Sequence, residues 1–173
     1  GLADIDLVFA ALPHGHSQDV ASAILDRGIP FVDLGPDFRL DVSATYERWY
    51  GQAHKTPELL DSFVYRIPEL NRAAICGAKA VAAAGCYATA AILALKPLVD
   101  SGLVKLDNLI VDAASGVSGA GREARETTAF SNVDGNFSAY GLLTHRHTAE
   151  MEMALGATVL FTPHLVPMTR GIL

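Results

Sequence analysis

Cysteine is scarce in this sequence. Cys76 and Cys86 are the two it has in 173 residues, too few for the disulfide framework of a small secreted scaffold. Basic residues are in the minority, 13 against 19 acidic ones, for a formal charge of −6. There is no basic cluster and no basic–aromatic stripe, so the electrostatic footprint of nucleic-acid binding is missing. No apolar run approaches the ~20 residues that a membrane-crossing helix needs. The opening Gly1-Leu2-Ala3-Asp4 carries no basic stretch of the secretory-signal kind. These absences predict a cytoplasmic protein with neither a nucleic-acid nor a membrane partner.

Apolar material, by contrast, is plentiful. Half the residues are hydrophobic and 18% are charged, a composition that supports a packed core and argues against disorder. The N-terminal half alternates strand-like and helix-like segments. Asp6–Leu12 reads as a buried strand ending at Pro13-His14-Gly15. Ser17 is placed to cap a helix running to about Arg27, with Gly28 as its stop. Ile29–Leu34 reads as a second strand, and this order implies a parallel sheet with a right-handed crossover. Residues 36–75, with Pro57-Glu58 and Pro68-Glu69, read as loops with one short helix near 43–50. Tyr46, Trp49 and Tyr50 there are expected to pack rather than to form a stacking platform.

Val81–Ala84 leads into Gly85-Cys86, and a strong helical pattern follows from about Ala88 to Ser101, closed by Gly102. Leu109–Ala114 reads as a buried strand, followed by a glycine-rich loop, Ser115–Gly121, and a stretch over Arg122–Thr127 with a helical reading. Thr148–Leu155 reads as a helix capped by Thr148, and Thr158–Phe161 as a strand. The fold class expected is α/β: residues 1–85 hold part of a Rossmann-like parallel sheet, and residues 86–173 part of an α+β catalytic domain. Leu2-Ala3-Asp4 opens almost directly on a strand and Arg170–Leu173 carries no stop signal, so a piece of a longer chain is expected.

Three places suggest chemistry. Cys86 follows a glycine at a helix start, where unpaired N–H groups and the positive end of the helix dipole favour thiolate over thiol. It reads either as a nucleophile or as a small buried hydrophobe; Cys76 reads as ordinary structure. His145-Arg146-His147-Thr148-Ala149-Glu150 is the densest ionisable cluster. It offers an acid/base imidazole, a carboxylate to orient it, and a guanidinium for an anionic substrate group. A metal site is the competing idea, but no third ligand stands at a usual spacing, so no metal is expected; a plain surface turn is the other alternative. The Ser115–Gly121 loop can offer N–H groups to a phosphate or serve as a flexible connection. It matches neither the Walker A loop nor the Gly-x-Gly-x-x-Gly fingerprint. His14 and His16 lie where open α/β sheets bind ligands, and are candidate cofactor neighbours, although a solvent-exposed loop is the default reading for them.

Taken together, six stretches resemble the N-acetyl-γ-glutamyl-phosphate reductases of arginine biosynthesis. They are Ala11–Gly15, Asp33–Arg39, Gly85–Ala91, Ser115–Arg122, Tyr140–His147 and Phe161–Leu165, in order along nearly the whole chain. The resemblance implies NADPH-dependent reduction of an acyl phosphate to a semialdehyde. It matches Cys86 to the family nucleophile, which carries the acyl group as a thioester. It matches His145 to the acid/base histidine, with His147 and Glu150 beside it. It implies cofactor contacts at Pro13, His14, Gly15, Ser115, Gly116, Ser118 and Gly119, and substrate contacts at Arg39, Arg122, Tyr140 and Arg146. A homo-oligomer of the whole protein and a small-molecule substrate are implied as well. Ala88 and Ala149 stand where the family often has proline; both positions start helices, where either residue is acceptable. The family's N-terminal Gly-x-x-Gly-x-x-Gly loop has no counterpart here, which predicts little NADP binding or turnover by the chain alone. The rivals are a related reductase of lysine biosynthesis, a non-catalytic domain of the same fold, and a hydrolytic cysteine enzyme.

Overall fold

A computed structural model describes residues 4–121 and 123–173. Arg122, one of the residues expected to meet substrate, lies outside them. The chain forms two compact units, Gly1–Gly85 and Cys86–Leu173.

The first unit is built on short strands, β1 (Val8–Ala10), β2 (Phe31–Asp33), β3 (Phe63–Arg66) and β4 (Ala80–Ala83). They form one sheet in the order β1-β2-β4-β3, every neighbouring pair parallel. Helices α1 (Ser17–Leu25), α2 (Ser43–Tyr50) and α3 (Pro68–Ile75) fall between the strands. The core is aromatic at its centre: the Phe38 and Phe63 rings stack at 3.9 Å, and Phe31 meets Phe63 edge-on at 5.8 Å. The alanines of α1 and β4 (Ala21, Ala80 and Ala82) are buried against them, leaving room for the rings.

Two readings of this half are corrected. Residues 36–75 hold more order than expected: beyond α2 there are a 3-10 helix (Pro57–Ser62), β3 and α3. Each Pro-Glu pair opens a helix, with proline at its first position, where the missing N–H costs nothing and φ is already set. Ser17 does not cap α1. It is the first helical residue, and its hydroxyl donates to Asp33 Oδ1 at 2.8 Å. The helix start is instead satisfied from a distance by Asp37, whose carboxylate accepts the N–H groups of Gly15 at 2.8 Å and Ser17 at 3.0 Å.

The second unit opens with α4 (Cys86–Asp100) and continues with β5 (Leu109–Gly116), α5 (Phe130–Val133), β6 (Ser138–Ala139), α6 (His147–Leu155) and β7 (Val159–Val166). Its sheet has the order β5-β7-β6. β5 and β7 run parallel from Leu109↔Val159 to Gly116↔Val166, and β6 is antiparallel to β7. The C-terminal stretch turns back along β5: Ala114 and Leu173 exchange N–H···O bonds, and Gly116 N–H donates to Gly171 O at 3.0 Å. Tyr87, Ala88 and Ile92 of α4, Met151 and Leu155 of α6, and Phe161 of β7 form the buried interior.

Here too the structure redraws expectations. The glycine-rich loop begins as strand, since β5 runs through Gly116, and continues as a 3-10 turn over Val117–Ala120. The stretch after it is no α-helix: a 3-10 turn covers only Glu126–Thr128. Thr148 lies inside α6, whose cap is Arg146. Among the described residues no helix is long and apolar enough to cross a membrane.

Candidate active site

Cys86 is the first residue of α4 and is exposed. Its exposure excludes the reading of Cys86 as a buried packing residue. Tyr87, next along, points the other way and is 2% exposed. Its hydroxyl donates to His164 O of β7 at 2.7 Å and accepts from Tyr140 at 3.3 Å. The first turn of α4 is thereby tied to the sheet while the thiol stays in the open.

The histidine pair packs on the same tyrosine. His145 meets Tyr87 at 5.6 Å, Tyr140 at 5.6 Å, Phe161 at 5.2 Å and His147 at 4.7 Å between ring centroids, all edge-on. His147 also meets Tyr87, at 6.1 Å. The pair is therefore no solvated surface turn. Glu150, one helical turn on, is completely buried, and its Oε1 lies 3.8 Å from His147 Nε2. The carboxylate that sequence alone could give to either imidazole makes its closer approach to His147 and also acts on the charge of His145.

Electrostatics knit these groups together. Burial, then the neighbouring His147, lowers His145 from 6.5 to about 4; Arg146 pushes the same way and Glu150 opposes. Burial raises Tyr87, and charge on Cys86 adds to the rise. Tyr140 is held well above the usual phenol range, by burial first and then by Tyr87 and Cys86. Both phenols stay protonated at neutral pH, and both feel the Cys86 sulfur.

The Ser115–Gly119 segment lies at the end of β5. Ser115 and Gly116 are buried, Ser118 and Gly119 exposed. A Cβ at Gly116 would lie 2.6 Å from the Arg170 backbone, so this glycine answers to the close approach of the chain's own C-terminal stretch. Val117 N–H donates to Met168 O and Ser118 N–H to Thr169 O, so these amides are not turned to a ligand. Among the described residues no group of three His, Cys, Asp or Glu is arranged to hold a metal ion.

In the first unit, Pro13, His14 and Gly15 follow β1 at the C-terminal edge of the parallel sheet. His14 is hydrogen-bonded to the Tyr46 hydroxyl at 2.7 Å, which also accepts from Gln18 at 2.7 Å. Gly15 adopts φ +85°, a conformation that side chains resist, and Asp37 holds its N–H there. His16 is exposed. Arg39 donates to Leu34 O at 3.1 Å, bracing its own loop. Asp33 and Asp37 are both fully buried; burial raises Asp33, and its Oδ2 has no hydrogen-bond partner among the described residues. Sequence reasoning singled out Arg39 and passed over Asp37 and Tyr87. An acid in a Gly-Pro-Asp turn and an aromatic in a helix start give no local sign of what they hold.

A parallel α/β sheet is followed by a unit that presents an exposed cysteine at a helix start and a histidine pair packed on the ring of the next residue, an arrangement of the kind found in two-domain α/β enzymes. Comparison with known proteins makes it specific. Residues 1–78 match the family model of the semialdehyde dehydrogenase NAD binding domain, and residues 86–173 that of the semialdehyde dehydrogenase dimerisation domain. The chain belongs to the semialdehyde dehydrogenase family. Within it, the chain is similar to proteins named N-acetyl-gamma-glutamyl-phosphate reductase. It is 53% identical to the one from Desulforudis audaxviator over 97% of this chain and 50% of that protein. It is 49% identical to the one from Symbiobacterium thermophilum, over 99% and 51%. The chain thus spans about half the length of the curated relatives it matches. Aspartate semialdehyde dehydrogenase II from Vibrio cholerae shares the fold with a TM-score of 0.72 at 17% identity, over 99% of this chain and 55% of that one. The Candida albicans aspartate semialdehyde dehydrogenase crystallised with NADP shares it at 0.61 and 14%, over 96% and 48%.

Proposed function

We propose that the protein carrying this chain reduces N-acetyl-γ-glutamyl phosphate to N-acetylglutamate semialdehyde, releasing phosphate, with NADPH as reductant. The observation that carries the reading is the exposed Cys86 at the start of α4, in one unit with a histidine pair packed on the ring of the next residue, Tyr87, and with a buried glutamate. The names of the relatives support this acyl phosphate over a carrier-linked aminoadipyl one, and the intact cysteine and histidines speak against a non-catalytic role.

In this reading the Cys86 sulfur attacks the acyl carbon, an S–C bond forms, the C–O bond to phosphate breaks, and the acyl group stays on Cys86 as a thioester. N–H groups at the start of α4 face the developing oxyanion. The histidine pair handles the proton as the thiol ionises and later as the carbonyl oxygen is released. Arg146, Tyr140 and Arg122 would receive the substrate's anionic and polar groups, with Arg39 as a further candidate. For the cofactor, the fit rests on the Gly15 turn. A backbone held at positive φ by a buried carboxylate, at the C-terminal edge of a parallel sheet, is where such sheets take nucleotides. Pro13, His14 and Gly15 would meet it there. The exposed Ser118 and Gly119 would contribute contacts, with Ser115 and Gly116 shaping their turn. NADPH, when bound, supplies the hydride. The dimerisation-domain match supports a homo-oligomer.

The test is a chimera in which this chain replaces the matching half of the Desulforudis audaxviator relative. It should oxidise NADPH in the presence of N-acetyl-γ-glutamyl phosphate, and its Cys86→Ser form should lose at least ~100-fold in kcat. Activity that survives Cys86→Ser would remove the thioester step.

A further inference from the structure

Tyr46 of α2 is completely buried, yet its hydroxyl serves polar groups from other segments. It shares a hydrogen bond with His14 Nε2 at 2.7 Å, accepts one from Gln18 Nε2 at 2.7 Å and donates to Asp37 Oδ1 at 3.4 Å. The Gln18 amide is oriented from its other end. Its Oε1 accepts the Lys55 N–H at 2.6 Å, which turns the NH₂ group towards the phenol. Burial first, then the Asp37 charge, lifts the phenol to about 12, so the hydroxyl keeps its proton.

These bonds converge on one turn. Residues 13–17 join β1 to α1, and their own backbone supplies a bond from His16 N–H to Pro13 O at 3.1 Å. Gly15 stands there at φ +85°, one shape among the many that a glycine samples when nothing holds it. Both sides of Gly15 are held from far along the chain. Asp37, 22 residues on, accepts its N–H, and Lys55, 40 residues on, donates from Nζ to its carbonyl oxygen at 2.9 Å. Lys55 also pairs with Asp19 Oδ1 at 2.7 Å, tying the turn to the first turn of α1. The His14 ring lies between the Tyr46 hydroxyl and the Tyr50 ring, 4.6 Å away. The holding segment is itself braced. Tyr46 stacks on Tyr50 at 4.5 Å and meets His54 edge-on at 4.7 Å, and His54 Nε2 donates to Asp37 O at 3.0 Å.

We infer that residues 37–55 form a clamp that sets the 13–17 turn in its nucleotide-receiving shape before the cofactor arrives, with Tyr46 and Lys55 as positioning residues. The inference rests on the reading of this turn as the cofactor edge, and it adds what keeps the turn ready. A loop that wanders binds only through its competent fraction, and its apparent affinity falls by that fraction. A turn built in advance avoids the loss. Neither side chain has to touch the nucleotide, so removing either one weakens binding and leaves hydride transfer alone. Packing accounts for the Tyr46 ring; the clamp accounts for its hydroxyl.

The experiment uses the chimera with the Desulforudis audaxviator relative. Amide exchange over residues 13–18 is followed by mass spectrometry without nucleotide, and NADP⁺ affinity is measured by calorimetric titration. Tyr46→Phe keeps the ring and removes the hydroxyl; it should speed exchange in the turn and raise the NADP⁺ Kd, each by about tenfold. Lys55→Met, at a half-exposed side chain, should do the same by about fivefold. Lys55→Arg can donate to the same two oxygens and should bring both readings back to within about twofold of wild type. At saturating NADPH, kcat should stay within about twofold in every variant. Val81→Ala, in the buried part of β4 and outside the clamp, should lower the melting temperature and leave the Kd within about twofold. Unchanged exchange in both Tyr46→Phe and Lys55→Met overturns the clamp. Faster exchange with an unchanged Kd overturns its role in nucleotide binding, and so does an equal rise of Kd in Val81→Ala. If bound NADP⁺ leaves exchange over 13–18 of the wild type unaltered, the cofactor reading of the turn fails, and the unliganded variants still decide whether the clamp exists.

Discussion

Asp37 shows how much one residue can organise. Its carboxylate replaces a local cap for α1 and fixes the Gly15 turn at the same time. Asp37→Ala leaves two buried N–H groups unpaired, and each costs about 1–3 kcal/mol. We expect the first unit to lose about 3 kcal/mol in urea denaturation, and about half that with Asp37→Asn, which keeps one acceptor oxygen. An unchanged midpoint for Asp37→Ala would mean that water replaces the carboxylate without loss. Tyr87 is the counterpart in the second unit: a buried phenol that links the Cys86 helix to β7 through one hydrogen bond and to both histidines through its ring. Neither role can be read from the sequence, because each partner lies far along the chain. Cys86 itself was legible, since a glycine followed by a run of helix formers marks a helix start. The allegiance of Glu150 was not: on sequence spacing alone it could serve either imidazole.

At the scale of elements, long and strongly patterned segments were readable and short ones were not. α4 and the parallel strands β1 and β2 emerge from apolar runs and glycine stops. β3, four residues at the sheet edge, and α3, which begins on a proline, were hidden in what looked like irregular chain. The glycine-rich segment is instructive because its two glycines have different reasons to exist. At Gly116 an added Cβ would meet backbone, Arg170 at 2.6 Å; at Gly119 it would meet the Ser115 hydroxyl. Backbone held by several hydrogen bonds cannot yield cheaply, whereas a serine rotamer can. Gly116→Ala should therefore destabilise the second unit by about 2 kcal/mol or more, and Gly119→Ala by about 1 kcal/mol or less. Thermal denaturation of both variants checks this. Equal losses would show that the C-terminal stretch does not hold its place along β5.

For the whole molecule, buried imidazoles set the response to acid. An unfolded histidine takes up a proton near 6.5, whereas His145 refuses it until about 4; His54, desolvated in the first unit, is shifted the same way. Between these values the unfolded chain binds more protons, so stability falls as pH falls. Asp33, shifted up by burial, works in the opposite sense. The His145 contribution is isolated by comparing wild type with His145→Gln between pH 7 and 4.5. The wild type should lose about 1–2 kcal/mol more, a figure already reduced for the ring's partial exposure. Parallel curves would show that the ring protonates without cost.

The proposed function turns on Cys86 as an acyl-accepting nucleophile, and the two exposed thiols of the chain allow a direct test in one molecule. The chain is mixed with N-acetyl-γ-glutamyl phosphate at pH 7, quenched in acid, and mapped by mass spectrometry for hydroxylamine-labile acyl groups. Cys86 should be acylated at least ~10-fold faster than Cys76, and the excess should shrink when His145 and His147 are both replaced by Asn. Equal acylation of the two cysteines, or none on Cys86, would contradict it.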